Sequence, residues 1–193
     1  MDLSKAPIAR METAITERLR LAFPEKTFTI ERVPQVLTIK EFERLSRISP
    51  FIGLAWTGMK PDSDTGRSLE GKMTWRLILI YRASSTPEAR FKGDRRGLGL
   101  DSMIDVSMAL LHGWTLPGVG RAAVTLANSV IADGWSDDLL VIAQVDFEIR
   151  FNAPVADYDL VTAEELKTLA TTWALDDSAE TVTDTINIPQ ENP

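Results

Sequence analysis

An α+β domain, built on an antiparallel or mixed β-sheet with a long central helix and an N-terminal helix packed on one face, is the fold this sequence predicts. Three stretches predict it. In Gly99 to Gly113 (GLDSMIDVSMALLHG), Met103, Ile104, Ser107, Met108, Leu110, Leu111 and then Trp114 recur at three- and four-residue steps, the stripe of one helix. Asp101 is placed to cap that helix and Gly113 to stop it. Before it, Met73–Ala83 (MTWRLILIYRA) reads as a strand. After it, Leu139–Phe151 (LLVIAQVDFEIRF) alternates, with Val141, Ala143, Val145, Phe147, Ile149 and Phe151 on one side. Gln144, Asp146, Glu148 and Arg150 lie on the other. Such a strand has one buried and one wet face.

The remaining elements follow in order. Pro7–Phe23 is a helix with Ile8, Met11, Ile15, Leu19, Ala22 and Phe23 as its stripe, opened by Pro7 and ended by Pro24. Thr27–Val33 is a short strand. Thr38 and Glu41 have the spacing of a capping box and open a helix over 38–48, with Ile39, Phe42, Leu45 and Ile48 inward. Phe51–Thr57 is a third β segment. Met59–Lys72 and Ser84–Leu98 read as long polar loops, and Leu116–Gly120 as a turn. Ala122–Ile131 and Leu139–Phe151 form a hairpin through 133–138. A capping-box start at Thr162 and Glu165 predicts a last helix over 162–173, and from Ala174 onward the chain should be loose. Sequential strands and a long hairpin favour an antiparallel or mixed sheet over repeated βαβ units. The division is one domain over 1–156 and an extension over 157–193.

Composition narrows the function classes. The 193 residues are 44% hydrophobic and 25% charged, as in ordinary soluble chains. No apolar run approaches the roughly 18–20 residues of a membrane span, and the N-terminus lacks the apolar core of a signal peptide. With no cysteine, disulfides, thiolate zinc sites and cysteine nucleophiles drop out together, and folding in a cytoplasm is expected. The net charge of −7 is uneven. Residues 157–193 hold nine acids against the single base Lys167, a net −8 that leaves +1 for residues 1–156. An acidic whole surface does not suit nucleic acid, although a local basic patch would.

Tests for chemistry nominate no catalytic, cofactor or metal residue. His112 is the only histidine, which excludes two-histidine metal sites. Its place at a helix C-terminus has a bland explanation in the helix dipole. Gly97-Leu98-Gly99 before a helix lacks the preceding strand and third glycine of a phosphate-binding turn, and reads as a hinge. Asp62-x-Asp64-x-Gly66 lacks a third ligand position and the flanking helices of a calcium loop. Asp101/Asp105 and Asp146/Glu148 are pairs that capping and a solvated sheet face explain. Arg90, Lys92, Arg95 and Arg96 put four bases into seven residues. They are either a solvated turn or a surface for an acidic partner or nucleic acid backbone. Of the five tryptophans, Trp56 and Trp135 lie close to loops, where aromatic residues often anchor contacts.

Certain strings taken in sequence resemble the tail-terminator (tail completion) proteins of long-tailed bacteriophages, the Mu-like group especially. They are the N-terminal helix Glu12–Phe23 leading into a strand, the polar loop before Met73–Ala83, the helix-to-turn string Ser107–Gly120 (SMALLHGWTLPGVG) and the hairpin ending in Leu139–Phe151. The match spans roughly 8–152. It departs from the pattern in the helix at 38–48 and in the acidic extension. The resemblance implies a structural virion protein without enzymatic activity. Its copies would form a hexameric ring at the head-proximal end of the tail, contacting the tail-tube protein and the head–tail connector, with DNA threading the ring as a further partner. Interface candidates are Arg90, Lys92, Arg95, Arg96, Trp56, Asp146, Glu148 and Arg150. A head-side completion protein of similar fold is the alternative within that class. A small metal-dependent enzyme or ligand-binding domain is the alternative outside it.

Overall fold

A computed structural model describes residues 6–62, 68–82, 86–94, 97–130, 140–154, 168–174 and 181–187. It is an α+β arrangement of helices and a mixed six-stranded sheet. The elements are α1 (Pro7–Arg20), β1 (Thr29–Arg32), α2 (Ile39–Ser46), β2 (Phe51–Pro61), β3 (Ser68–Arg82), α3 (Pro87–Lys92), β4 (Gly93–Asp94) and β5 (Gly97–Leu98). Then come α4 (Leu100–Leu111), β6 (Thr115–Leu116), β7 (Gly120–Val130), β8 (Leu140–Pro154), β9 (Thr168–Ala174) and β10 (Thr181–Asn187). Strand order in the main sheet is β1-β2-β3-β8-β7-β6. The β1–β2 pair is parallel and every other neighbour antiparallel.

Strict alternation in β3 and β8 gives the sheet two unlike faces. Met73, Trp75, Leu77 and Leu79 of β3 stand opposite Ile149, Phe147, Val145 and Ala143 of β8, and all eight are buried. They share one cluster with Met11, Ile15 and Leu19 of α1 and with Leu100, Met103 and Leu111 of α4. Arg18 ties the two helices by donating from Nε to the Leu110 carbonyl at 2.9 Å. Arg20 closes the turn after α1, donating to the carbonyls of Phe23 and Phe28 at 3.2 and 2.7 Å. On the other face Leu45 of α2 joins Val33, Phe51, Ala55, Ile80 and Ile142 in a second cluster. Burial of this kind is the dominant favourable term, about 25 cal/mol per Å² of apolar surface.

Helix α2 forms with both bonds of its capping box. The Glu41 N–H donates to Thr38 Oγ1 at 3.3 Å, and the Thr38 N–H donates to Glu41 Oε2 at 3.0 Å. Leu37 and Phe42, on either side of the cap, both pack on the second cluster, the positions of a hydrophobic staple. Ile39, expected inward, is 77% exposed because the first helical position faces away from the sheet.

Several expectations are corrected. The polar stretch Met59–Lys72 is strand at both ends, with β2 running to Pro61 and β3 starting at Ser68; polar side chains suit the wet face of a paired strand. Within Ser84–Leu98, Thr86-Pro87 starts α3 with proline at its first position, a favoured helix start, and Gly93 pairs with Leu98 beyond it. Gly99, not Asp101, occupies the N-cap of α4, and Asp101 lies in the first turn. The helix expected over 162–173 gives way to β9 over Thr168–Ala174, whose β-branched threonines favour a strand. The chain expected to be loose from Ala174 pairs Thr181–Asn187 with β9. Residues 162–167 lie outside the described residues.

Candidate functional site

The wet face of the sheet is divided. Toward Ile78, Ile80 and Ile142 it is apolar and shares a cluster with α2. Toward the other end it carries charges in cross-strand order. Register places Lys60 opposite Lys72, Lys72 opposite Arg150, Thr74 opposite Glu148 and Arg76 opposite Asp146. Like charges directly opposed destabilise a sheet, and the diagonals relieve this. Lys72 Nζ meets Glu148 Oε1 at 2.6 Å, and Arg150 Nη2 meets Asp62 Oδ2 at 3.1 Å. Asn152 Nδ2 and Ser68 Oγ both donate to Glu70 Oε1, at 2.8 and 3.0 Å.

Arg76 and Asp146 form the two-pronged member of this set. Arg76 donates from Nε to Oδ1 at 2.7 Å and from Nη2 to Oδ2 at 2.8 Å, the two-pronged geometry that suits a carboxylate. The hydrogen bond to Asp146 raises the Arg76 guanidinium above its ordinary pKa, against the opposing effect of burial. Arg150 is more open, its side chain 70% exposed. Two shallow clefts of about 430 and 350 Å³ meet at Arg121 and Arg150. Asp62, Glu70 and Asn152 line the first; Lys72, His112 and Glu148 line the second. Both have mixed sign, which fits setting the register of a docked surface better than holding one ion.

The sequence-predicted residues fall into three places. Asp146, Glu148 and Arg150 come together on this face with Lys72, Arg76 and Asp62. The alternation of 72, 74 and 76 within GKMTWRL carried the signal for Lys72 and Arg76. Trp56 lies on the opposite face, half-buried against the main cluster and directly across from Trp75. There Arg32 sits 4.7 Å above the Trp75 ring, its own pKa lowered by burial and partly restored by Glu12. Arg90 and Lys92 belong to α3, where Lys92 pairs with Glu88 at 2.8 Å, so their stretch is a short helix in place of an open basic loop. Arg95 and Arg96 lie outside the described residues.

Other candidates resolve plainly. Asp62 accepts from Arg150. Asp64 lies outside the described residues. Among the described residues, no three His, Asp or Glu side chains gather as metal ligands, and no helix is long and apolar enough to cross a membrane. His112 does more than end a helix. Its Nδ1 accepts the Val124 N–H at 3.3 Å, so a side chain serves where a strand partner would otherwise bond β7. The chain matches no known family and no curated protein.

Proposed function

We propose that this protein is a structural component of a phage tail, a ring-forming terminator that caps the tail tube and meets the head connector. One observation carries the reading beside the resemblance of its sequence strings. The charged half of the sheet face, Lys72–Glu148, Arg76–Asp146 and Arg150–Asp62, is an ordered, mixed-sign lattice on rigid strands. Such a surface selects the register of a protein partner. In this reading α4 and α1 are the layer behind the sheet that keeps that face stiff. Catalysis is not among its roles, and its place is the virion after synthesis in the host cytoplasm.

Ring contacts between identical copies must be head-to-tail, one face of a subunit against a different face of the next. Labelling the chain in assembled particles tests the assignment. Label confined to the junction of head and tail is the expected result. Label along the tube, at the distal tip, or absent from particles would overturn it, and confinement to the head side of isolated connectors would favour a head-side completion protein.

A further inference from the structure

β7 is the long open edge of the sheet. Its first residues are covered: β6 pairs only at Gly120 and Arg121, and the Gly113 N–H donates to the Ala122 carbonyl. The Ala122 N–H donates to the Trp114 carbonyl, and His112 takes the Val124 N–H. From Thr125 to Val130, no described residue bonds the outer side. Nothing in the sequence blunts this edge. Residues 122–130 (AAVTLANSV) contain no charge and no proline, two of the devices by which natural edges avoid pairing; the bulge between Val124 and Leu126 lies at the start of the open run and leaves Leu126–Val130 in regular register with β8. Leu126 and Val130 are 46% and 37% exposed. At the sheet's other side β1 is only four residues long and ends in Glu31 and Arg32.

The same chain carries a strand pair with the complementary deficit. β9 and β10 bond only to each other among the described residues, and an isolated two-stranded hairpin is marginal in water. β9 (TLATTWA) has seven residues and no charge, enough to cover the equally uncharged run Thr125–Val130 on β7.

We infer that the hairpin of residues 168–187 in one copy adds to the β7 edge of a second copy, β9 lying antiparallel to Thr125–Val130. Reach favours the second copy. Antiparallel pairing, the more stable mode, sets Thr168 opposite Val130. Val130 pairs with Ile142, twelve residues along β8 from Pro154, which is about 40 Å of strand. The chain from Pro154 to Thr168 spans at most about 50 Å fully stretched, so a chain reaches its own edge only with residues 155–167 drawn nearly straight. Reaching a neighbour carries no such restraint and is head-to-tail, so this deepens the ring reading and rests on it for closure.

Disulfide trapping tests the exchange, because the chain has no cysteine of its own. Full-length Asn128→Cys is mixed with a differently tagged full-length chain carrying cysteine at Ala170, Thr171 or Thr172, and oxidised at high protein concentration. A mixed disulfide several-fold above either homodimer is expected from at least one pair, and Leu126→Lys with Ser129→Lys on the β7 partner should remove it without changing the thermal melt. Absence of the mixed product, an Asn128→Cys homodimer in its place, or a bond forming only within a doubly substituted chain would overturn the exchange. Mixed cross-links without closed rings would retain the exchange and remove the ring. Closed rings from a chain ending at Pro154 would retain the ring and remove the exchange.

Discussion

Arg76 and Arg150 show how position on one strand face decides what an ion pair is for. The Arg76–Asp146 pair is two-pronged, with side chains 29% and 21% exposed, so removing one partner strands the other among half-buried neighbours. Asp146→Asn should lower unfolding free energy by about 1–3 kcal/mol, read by chemical denaturation. Arg150, 70% exposed, pairs with Asp62 in screened surroundings. Arg150→Ser should change stability by no more than about 1 kcal/mol while impairing assembly into tails. Equal losses of stability would contradict this division. Glu41 gives a pH-dependent case. Its bonds to the backbone and side chain of Thr38 hold its carboxyl below the ordinary value, Arg44 adding to the effect. A depressed folded value means stability present above the unfolded value of about 4.3 and lost as pH falls through the folded one. NMR of α2 should therefore show its first turn loosening only in acid, and Glu41→Gln should abolish that pH dependence. Acid loosening that survives in Glu41→Gln would place the titrating group elsewhere.

At the scale of elements, what the sequence makes legible is periodicity with a clear consequence for burial. Met11, Ile15 and Leu19 mark α1, the odd positions of β8 mark its core face, and Thr38 with Glu41 marks the start of α2. Polar residues mislead where strands are half wet. Lys60 and Lys72 read as loop in sequence, yet pairing across the sheet and a diagonal contact with Glu148 make them strand. Of the site, Asp146, Glu148 and Arg150 are visible as one alternating face, and alternation also marks the face of Lys72 and Arg76, whereas which acid each base meets, and the place of Asp62 beside Arg150, depend on a register no local pattern states. Trp56 stands apart from these residues, because the register across to Trp75 puts it on the other face. Thr168–Ala174 misleads through a capping-box spacing that its β-branched residues outweigh. Close backbone approach is a further invisible constraint. A Cβ at Gly120 would fall onto the Arg150 carbonyl oxygen, whereas one at Gly97 would meet only Tyr81 Oη at 3.4 Å. Gly120→Ala should cost about 1–3 kcal/mol, a fall of about 2–4 °C in Tm for each kcal/mol, and Gly97→Ala should be near neutral. A neutral Gly120→Ala would mean that the β6–β7 turn adjusts freely.

For the molecule as a whole, both buried clusters lie, among the residues whose burial is described, within 11–153, while the acidity lies in 157–193. A chain ending at Pro154 should thus melt within a few degrees of the full chain, and a collapse in Tm would show that the hairpin supports the core of its own copy. The same separation leaves the β7 edge and the charged half-face for contacts between molecules. Obligate association needs a large apolar interface, and the exposed apolar residues on this edge, Leu126 and Val130, are few. Free protein should be monomeric or weakly associated, with rings forming on the tube end. The decisive measurement combines imaging of assembled tails with mass measurement of the free chain. Six copies closed into a ring at the head-proximal end, with monomers or weak oligomers in solution, is the expected result; a tight two-fold dimer in both settings would contradict the terminator reading.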